Sequence, residues 1–359
     1  MQDTTLVHER IHLSCIVADS FFCCNTVTGR AQPCAMITLR QKGREMKKVK
    51  LVTFVVMMLL VVTAGCKKSS TAPEEDPGPS MMNVFGEYMG ATLPGSTPLR
   101  FAPDPLLTAG TTWFYHGSPI FSPDGTEMYF VKYFTATDQT EIWFTRREGT
   151  QWIVPQKASF SQGGFVNNPF FVGNDNDTLY FKSNMNGYFI HKVTRTANGW
   201  SAPTSLAIPL PVGYTAGNDF CVVSDGSVYF SADSLATKCE IFISRYNAGT
   251  YSTPESLTAI NTSGYNEWLG FVDPSETYMI FVSNRTGGSG MHDLYLSRKS
   301  DTGWSTPVNL GVTINSSWED GAPHITADGN YLFFNTVKSG DQGFTPYWVD
   351  SSILDALVK

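Results

Sequence analysis

The sequence lacks a basic excess, a disulfide framework and a long hydrophobic run. Its 25 Lys and Arg are outnumbered by 32 Asp and Glu, which makes nucleic acid an unfavourable partner. Four of the seven cysteines lie within residues 1–45, and Cys221 and Cys239 fall on predicted strands too far apart for a disulfide. No P-loop, zinc-ligand spacing, nucleophile elbow or metalloprotease helix is present, so the sequence indicates no cofactor or transition metal.

The sequence does contain a repeat of about fifty residues. The segment at residues 117–130, GSPIFSPDGTEMYF, returns four times with closing aromatics 51, 49, 51 and 53 residues apart. Each copy has an apolar run, a turn usually of the Asp-Gly kind, and a run rich in Tyr, Phe and Val, which predicts a β-hairpin with a two-residue turn. Ser275-Glu276 replaces Asp-Gly in the fourth copy, where we expect a different turn, and GNDNDT in the second copy predicts a longer loop.

Two further runs follow each hairpin and predict a four-stranded antiparallel sheet. The last run carries an aromatic residue three positions before a proline, which belongs on an edge strand because proline cannot donate to the ladder. Self-similarity of this kind predicts an all-β fold, a β-propeller of four-stranded blades. The fifth repeat has three strands and a short C-terminal helix capped by Ser351, and we expect residues 99–103 to supply its fourth strand. Five blades follow, with six as the alternative if residues 83–116 hold a divergent blade.

The N-terminal residues divide into leader segments. Residues 1–45 show no period and are interpreted as a non-native extension ahead of a start at Met46. Residues 46–65 have a basic start, a short apolar core and small residues before Cys66, which is typical of a secretory signal peptide. The core is shorter than the roughly 20 residues that span a bilayer, and an uncleaved signal anchor is the alternative. Residues 66–82 are polar and Pro-rich and predict a flexible tether to a domain at residues 83–359.

The stretch Thr63-Ala64-Gly65-Cys66 resembles the lipobox of bacterial lipoproteins. The resemblance implies that Cys66 becomes the acylated N-terminus and that the protein is lipid-anchored in the cell envelope, on the periplasmic face or on the surface of the outer membrane. Glu74-Glu75-Asp76 could act as a surface-export cue, as in some lipoproteins of the Bacteroidetes type, or simply solvate the tether. Eight of the Lys and Arg and four of the Asp and Glu precede Cys66, so the exported part has a net charge of −11.

The SPDG turn and the SNRTGGSGMHDLYLS segment at residues 283–297 resemble the WD-repeat-like propeller repeats of TolB-type periplasmic proteins. The resemblance extends over about residues 83–359, including the opening and closing segments of that range. It implies a propeller at the cell envelope that usually binds partners or ligands.

The start of each first strand holds the candidate ligand-binding residues, because first strands line the channel of a propeller. Alignment on the closing aromatics, or on Asp-Gly in the third repeat, places His116, Asn167, Gly217, Glu267 and Asp320 at equivalent positions. Polar and aromatic neighbours lie close in sequence. The predicted channel mouth consists of His116, Asn167, Asn218, Asp219, Glu267, Trp268, Glu319 and Asp320. Such a mouth suits a glycan, a peptide or a cation, and its carboxylates could hold Ca²⁺. The alternative is that these residues only solvate the funnel and cap strand ends.

Arginines recur at the end of the third strand in four repeats. We interpret Arg146, Arg195, Arg245 and Arg298 as structural, and expect Arg285 and Asp293 to form a structural ion pair. Three functions remain open. The first is a non-catalytic, lipid-anchored module that binds a protein or carbohydrate at the channel mouth. The second is a glycosidase-like enzyme using Glu267 with Asp320 or Asp219 as acid and base. The third is a purely structural envelope protein.

Overall fold

The computed structural model describes residues 78–102, 112–162, 166–171, 173, 175–184, 187, 189–235, 238–337 and 344–358. Within these ranges the fold is all-β, with one short α-helix, α1 (Asp355–Val358), near the C-terminus. The predicted N-terminal extension, the predicted signal peptide, Cys66 and the predicted tether up to residue 77 lie outside the described residues. No helix in the described ranges combines the length and the apolar composition that crossing a bilayer requires.

The described strands include five antiparallel sheets of four or more strands, one for each repeat. Sheet 1 comprises β1 (Met81–Phe85), β3 (Phe114–Tyr115), β4 (Ile120–Phe121), β5 (Glu127–Phe134), β6 (Gln139–Glu148), β7 (Gln151–Ile153) and β8 (Gln156–Lys157). Sheet 2 comprises β9 (Val166–Phe171), β10 (Thr178–Ser183), β11 (Ile190–Thr196), β12 (Gly199–Trp200) and β13 (Thr204–Ser205). Sheet 3 comprises β14 (Tyr214–Val222), β15 (Val228–Ser234), β16 (Cys239–Ser244) and β19 (Glu255–Ser256). Sheet 4 comprises β20 (Glu267–Val272), β21 (Tyr278–Ser283), β22 (Asp293–Ser300), β23 (Gly303–Trp304) and β24 (Val308–Asn309). Sheet 5 comprises β2 (Leu99–Arg100), β25 (Glu319–Ile325), β26 (Tyr331–Val337) and β27 (Thr345–Asp350).

The strands of each repeat follow one another across the sheet, and the fourth strand is interrupted. In sheet 1 the segments β7 and β8 lie on either side of Pro155, and both pair with β6. The same division occurs in the third repeat, where β17 (Tyr246–Asn247) and β18 (Thr250–Tyr251) form a separate ribbon. Proline lacks the donor that a continuous ladder needs, so the outer strand is broken where the sequence predicts an edge.

Each sheet packs against the next through buried apolar side chains, and the fifth packs against the first. Phe130 and Trp152 of sheet 1 share a cluster with Phe333 and Trp348 of sheet 5. Four further clusters join sheets 1 and 2, 2 and 3, 3 and 4, and 4 and 5. A sheet covered on both faces needs apolar residues on both, which explains the absence of strict alternation in the central strands. The result is a propeller-like arrangement.

The hairpin turns differ from the predicted two-residue type. In the first repeat φ is positive at Gly125 (67°) but not at Asp124, whose carboxylate accepts hydrogen bonds from Thr126. This is a type I turn closed by one left-handed residue. Glu276 occupies the glycine position of the fourth repeat with φ 58°, so the expectation of a different turn there is wrong. The longer loop in the second repeat is confirmed, because seven residues separate the paired Phe171 and Leu179.

Segments from both ends of the domain complete the sheets. Leu99 pairs with Trp348, so β2 supplies the fourth strand of sheet 5 as predicted. Residues 81–85 pair with β7 at the outer edge of sheet 1, and the described part of residues 83–116 therefore forms no sheet of its own. Asp350, not Ser351, caps the C-terminal helical segment through its bond from Ser352 N.

Two of the four repeat arginines join neighbouring sheets. The Arg195 guanidinium of sheet 2 donates two hydrogen bonds to the Glu127 carboxylate of sheet 1. Next to sheet 3, the Arg245 guanidinium lies 2.7 Å from Glu276 Oε1 in the hairpin turn of sheet 4. Arg146 pairs instead with Glu148 on its own strand, in the open. Arg146, Arg195 and Arg245 therefore contact carboxylates of their own or a neighbouring sheet, as expected of structural residues. Cys221 and Cys239 are buried free thiols, as expected.

Candidate functional site

The starts of the first strands do not share the register that the sequence alignment assumes. Glu267 pairs with Ser283, and Asp320 pairs with Thr336. In both repeats the partner on the second strand lies two residues beyond the closing aromatic. In sheets 1 to 3 that ladder position belongs to Tyr115, Val166 and Ala216. His116, Asn167 and Gly217 are therefore each one residue out of step with Glu267 and Asp320, and the predicted equivalence is wrong.

Bulges and turn length cause the slip. Between Tyr115 and Ile120 the first strand of sheet 1 has two more residues than its partner, whereas the first strand of sheet 4 has one extra residue. Sheet 3 also carries two extra residues, and the turn of the second repeat is one residue longer. Successive residues of a strand point to opposite faces, so one inserted residue is enough to redirect a side chain.

Glu267 is fully buried and serves as an anchor for Arg285. The Arg285 guanidinium lies 3.2 Å from Glu267 Oε1 and about 5 Å from the ring centres of Phe281 and Tyr295. Burial raises the pKa of Glu267, while the Thr262 amide and the Arg285 charge oppose the rise. The expected Arg285–Asp293 pair is thus replaced by an Arg285–Glu267 pair.

Asp293 instead fastens the loop before it, since its carboxylate accepts hydrogen bonds from the amides of Ser289 and Gly290 and from the side chain of Asn309.

Asp320 occupies in sheet 5 the ladder position that Glu267 occupies in sheet 4, and it is also buried. Its Oδ2 accepts a 2.6 Å hydrogen bond from the amide of Ser316, and its Oδ1 has no hydrogen-bond partner among the described residues. Burial raises the pKa of Asp320 to about 6, against the hydrogen bonds of Ser316 and Thr336. Within the described ranges no hydrogen bond or ion pair joins Glu267 to Asp320, and each carboxylate is held by its own loop.

The structure brings together a different set of polar side chains between the first strands of sheets 2 and 3. This inner polar cluster consists of Asn168, Lys182, Asn218 and Asp219. The Asn168 amide donates to Asn218 O (2.6 Å) and to Asp219 Oδ1 (3.0 Å), and Lys182 donates to Asn218 Oδ1. All four residues are half-buried. Asn168 has φ 47°, a left-handed conformation that asparagine tolerates better than most residues.

Asp219 dominates the electrostatics of the cluster. Burial raises the pKa of Asp219 to about 6, and the Lys182 charge and the Asn168 hydrogen bond restrain the rise. Its Oδ2 receives no hydrogen bond from the described residues. The cluster therefore offers a titratable oxygen acceptor beside an ammonium group and a side-chain amide.

Contacts at the same level link the other first strands. Ser118 Oγ of sheet 1 donates to Ala322 O of sheet 5 at 2.8 Å. Cys221 Sγ of β14 in sheet 3 donates to Gly270 O of β20 in sheet 4 at 3.4 Å. The first strands are thus neighbours, and the inner polar cluster lies where they meet.

The remaining candidates are dispersed. Trp268 packs edge-on against His292, with 4.9 Å between ring centres, and His292 Nδ1 lies 3.8 Å from Glu319 Oε1. Burial lowers the pKa of His292, opposed by the charge of Glu319. His116 is half-buried near Tyr133 of its own sheet. Asn167 pairs with Lys182 in the antiparallel ladder between β9 and β10. The structure does not describe the Asn167 side chain.

Sequence reasoning missed two lysines of the second strands. Lys182 joins the inner polar cluster, and Lys132 lies 4.4 Å and 3.9 Å from the ring centres of Trp113 and Trp143. Their position in the repeat could have indicated them, because each lysine follows the closing aromatic of its repeat within two residues. Burial lowers the pKa of Lys132, and its ammonium already occupies the aromatic cage.

No protein-family model and no curated protein matches this chain. Several solved structures are similar to it. A TolB-type protein of Agrobacterium tumefaciens is 17% identical and aligns over 66% of this chain and 77% of its own, with a TM-score of 0.41. An endo-arabinase from Bacteroides thetaiotaomicron is 12% identical over 72% of this chain and 96% of its own, with a TM-score of 0.43. A GH62 hydrolase in complex with xylotriose is 11% identical over 71% and 96%, with a TM-score of 0.38. Likenesses of this degree carry no conclusion about ligand, substrate or reaction.

Proposed function

We propose that this chain is a non-catalytic binding module of the bacterial cell envelope that holds its ligand at the inner polar cluster. The observation that carries the proposal is the environment of Asp219. Its carboxylate is partly removed from water, yet only one of its oxygens receives a hydrogen bond from the described residues. An under-satisfied carboxylate in such a place is unfavourable unless water or a ligand supplies the missing donor.

The chemistry of the cluster suits a carbohydrate. Sugar hydroxyls both donate and accept, and the cluster presents an acceptor on Asp219 together with donors on Lys182 and Asn218. The net charge of −11 beyond Cys66 disfavours strongly anionic ligands and nucleic acid. A peptide is the other class of ligand that this set of groups would accept.

The proposal includes the architecture and the location. The five sheets are taken as the five blades of a closed propeller, because five apolar clusters connect them in a cycle and β2 completes the last sheet. The lipobox-like stretch ending at Cys66 supports a lipid anchor, and the residues between Cys66 and β1 would be the tether, which is therefore shorter than the predicted 66–82 because Met81 and Met82 belong to β1. No metal or cofactor is part of the proposal.

The glycosidase alternative receives less support from the geometry. Its two carboxyls must reach the substrate from opposite sides, but Glu267 and Asp320 are 0% and 1% exposed. Of the three carboxylates considered, Asp219 alone is partly exposed. Binding is therefore the better account of the site.

The test compares Asp219→Asn with the wild-type chain on a panel of glycans and peptides. Asp301→Asn, an exposed aspartate between β22 and β23, is the matched control. Loss of a hydrogen bond to a charged group should weaken glycan binding by roughly tenfold or more in Asp219→Asn and leave the control unchanged.

Equal affinity in the two variants would contradict the site, and binding confined to peptides would contradict the ligand class. Mass spectrometry of the incubated glycans completes the test. Cleavage by the wild type would favour the glycosidase alternative.

A further inference from the structure

A recess lies at the opposite end of the first strands from the inner polar cluster. It is formed where these strands run into the hairpin turns of sheets 1, 2, 4 and 5, and the C-terminal helical segment supplies one wall. Its volume is about 250 Å³. For comparison, an apolar cavity of about 150 Å³ can hold benzene, so this recess has room for one substituted ring.

Polar and apolar groups contribute about equally to the wall of the recess, and its apolar part includes several aromatic side chains. Phe121, Phe171 and Phe271 line it from three sheets, and Leu354 lines it from the C-terminal segment. Rings from several directions favour a planar apolar ligand, because offset and edge-to-face contacts add to the burial of apolar area. The recess therefore selects for an aromatic group rather than a flexible chain.

Most polar groups on its wall are already used by the turns to which they belong. Asp273 accepts hydrogen bonds from the amides of Ser275 and Thr277, and Thr326 Oγ1 donates to Asp328. His324 and Tyr278 are exceptions, since neither ring nitrogen of His324 nor the hydroxyl of Tyr278 has a hydrogen bond to a described residue. Burial also lowers the pKa of His324 to about 3, so the imidazole is neutral at physiological pH.

The two nitrogens of His324 have different surroundings. Nε2 is buried and has no hydrogen-bond partner among the described residues, whereas Nδ1 is not among the buried unpaired atoms of this partly exposed residue. A neutral imidazole carries one proton, and a sealed donor without an acceptor is costly. We assign the proton to Nδ1, which leaves an unused imidazole N–H donor on a wall of the recess that also carries aromatic rings.

We propose that this recess binds a single aromatic ring bearing an oxygen, such as a phenol, and that the oxygen accepts a hydrogen bond from His324 Nδ1. The site is separate from the inner polar cluster and does not depend on the proposed carbohydrate function. A ring of this size fits within the recess, and its oxygen satisfies the unused imidazole donor of His324.

The experiment measures the affinity of p-cresol, with toluene as the matched probe that lacks the oxygen, by ligand-observed NMR. The wild-type chain should bind p-cresol roughly fivefold more tightly than toluene, the value of one net hydrogen bond. His324→Phe keeps the ring stacked on Phe333 and removes the donor. In that variant the two probes should bind equally.

Ala327→Trp tests the location, because Ala327 is an exposed residue at the edge of the recess, and Ala356→Trp is its control on the outer side of the C-terminal helix. Both probes should be displaced by Ala327→Trp alone, with folding confirmed by circular dichroism. Absence of binding to the wild type, equal affinity of the two probes there, or unchanged binding in Ala327→Trp would each overturn the proposal.

Discussion

Glu276 has an unfavourable backbone conformation and favourable side-chain hydrogen bonds. Its φ of 58° lies in the left-handed region that glycine occupies in three other repeats, at a cost of about 1 kcal/mol for a residue with a side chain. Its carboxylate accepts hydrogen bonds from Arg245 and Lys299, each 2.7 Å long, and from Tyr229. Burial acts to raise the pKa of Glu276, but these bonds and charges outweigh it and leave the pKa below its usual range.

Glu276→Gly should destabilise the protein by about 1–2 kcal/mol, because the exposed parts of the ion pairs contribute little while the Tyr229 hydroxyl loses its buried partner. Relief of backbone strain offsets part of the loss. Urea unfolding monitored by tryptophan fluorescence measures the difference. Glu276→Asn, which tolerates a positive φ but lacks the charge, should lie close to Glu276→Gly. A variant as stable as the wild type would mean that strain prevails over the three bonds.

Asp320 is expected to make the folded protein less stable as the pH rises from about 4 to about 6. Its pKa is about 6 in the folded protein, above the usual 3.8, so folding favours the protonated form. The carboxyl imposes no penalty below pH 3.8, where it is protonated in both states. The penalty grows as the pH rises to about 6 and is constant above that.

Asp320→Asn should therefore raise the free energy of unfolding by about 1–3 kcal/mol at pH 7.5 and change it little at pH 4. Parallel urea titrations at the two pH values measure the effect. The exposed Asp301→Asn variant should match the wild type at both. A gain of equal size at pH 4 would show that the carboxyl charge is not responsible.

At the scale of elements, the closing strand is the least local part of the fold. β2 comes from the start of the domain and pairs with the last strand of sheet 5, some 250 residues away. Phe101 follows it directly, is 2% exposed, and packs edge-on against Phe121, Phe333 and Trp348. One side chain thereby joins the first and last sheets, and closure depends on packing as well as on the short ladder.

Phe101→Ala should cost about 3–5 kcal/mol, as expected for a large ring removed from a packed core. Phe85→Ala on β1 is the control, because Phe85 is 49% exposed and lies at the edge of sheet 1. The urea midpoint should fall strongly in the first variant and little in the second. Similar midpoints would mean that the closing segment contributes little to the stability of the domain.

At the scale of the whole molecule, the repeat spacing was sufficient to predict the all-β class, the strand order and the closing role of residues 99–100. Each repeat is one hairpin-rich unit that can bury its faces only against its neighbours, so order along the chain becomes order in space. The site was harder to predict. Glu267 and Asp219 were both predicted at an accessible channel mouth, but only Asp219 is partly exposed, because bulges shift the register by single residues and Glu267 is buried. A bulge, and the change in side-chain direction that it causes, has no clear pattern in the sequence.

The proposed attachment to a membrane concerns the whole molecule and depends on one residue. If Cys66 carries acyl chains, each buried methylene contributes about 0.8 kcal/mol, and several chains hold the protein on the bilayer without any spanning helix. Cys66→Ser should then move the protein from the membrane fraction to the soluble fraction and abolish incorporation of labelled palmitate. Cys221→Ser, at a buried free thiol, is the matched control and should leave fractionation unchanged.

Mass spectrometry of the mature wild-type protein should find a modified Cys66 as the first residue and no peptide from residues 1–45. A Cys66→Ser protein that stays with the membrane, with residues 46–65 intact, would instead support the uncleaved signal anchor. The binding site would be unaffected by that result, because the inner polar cluster is formed entirely by residues of sheets 2 and 3.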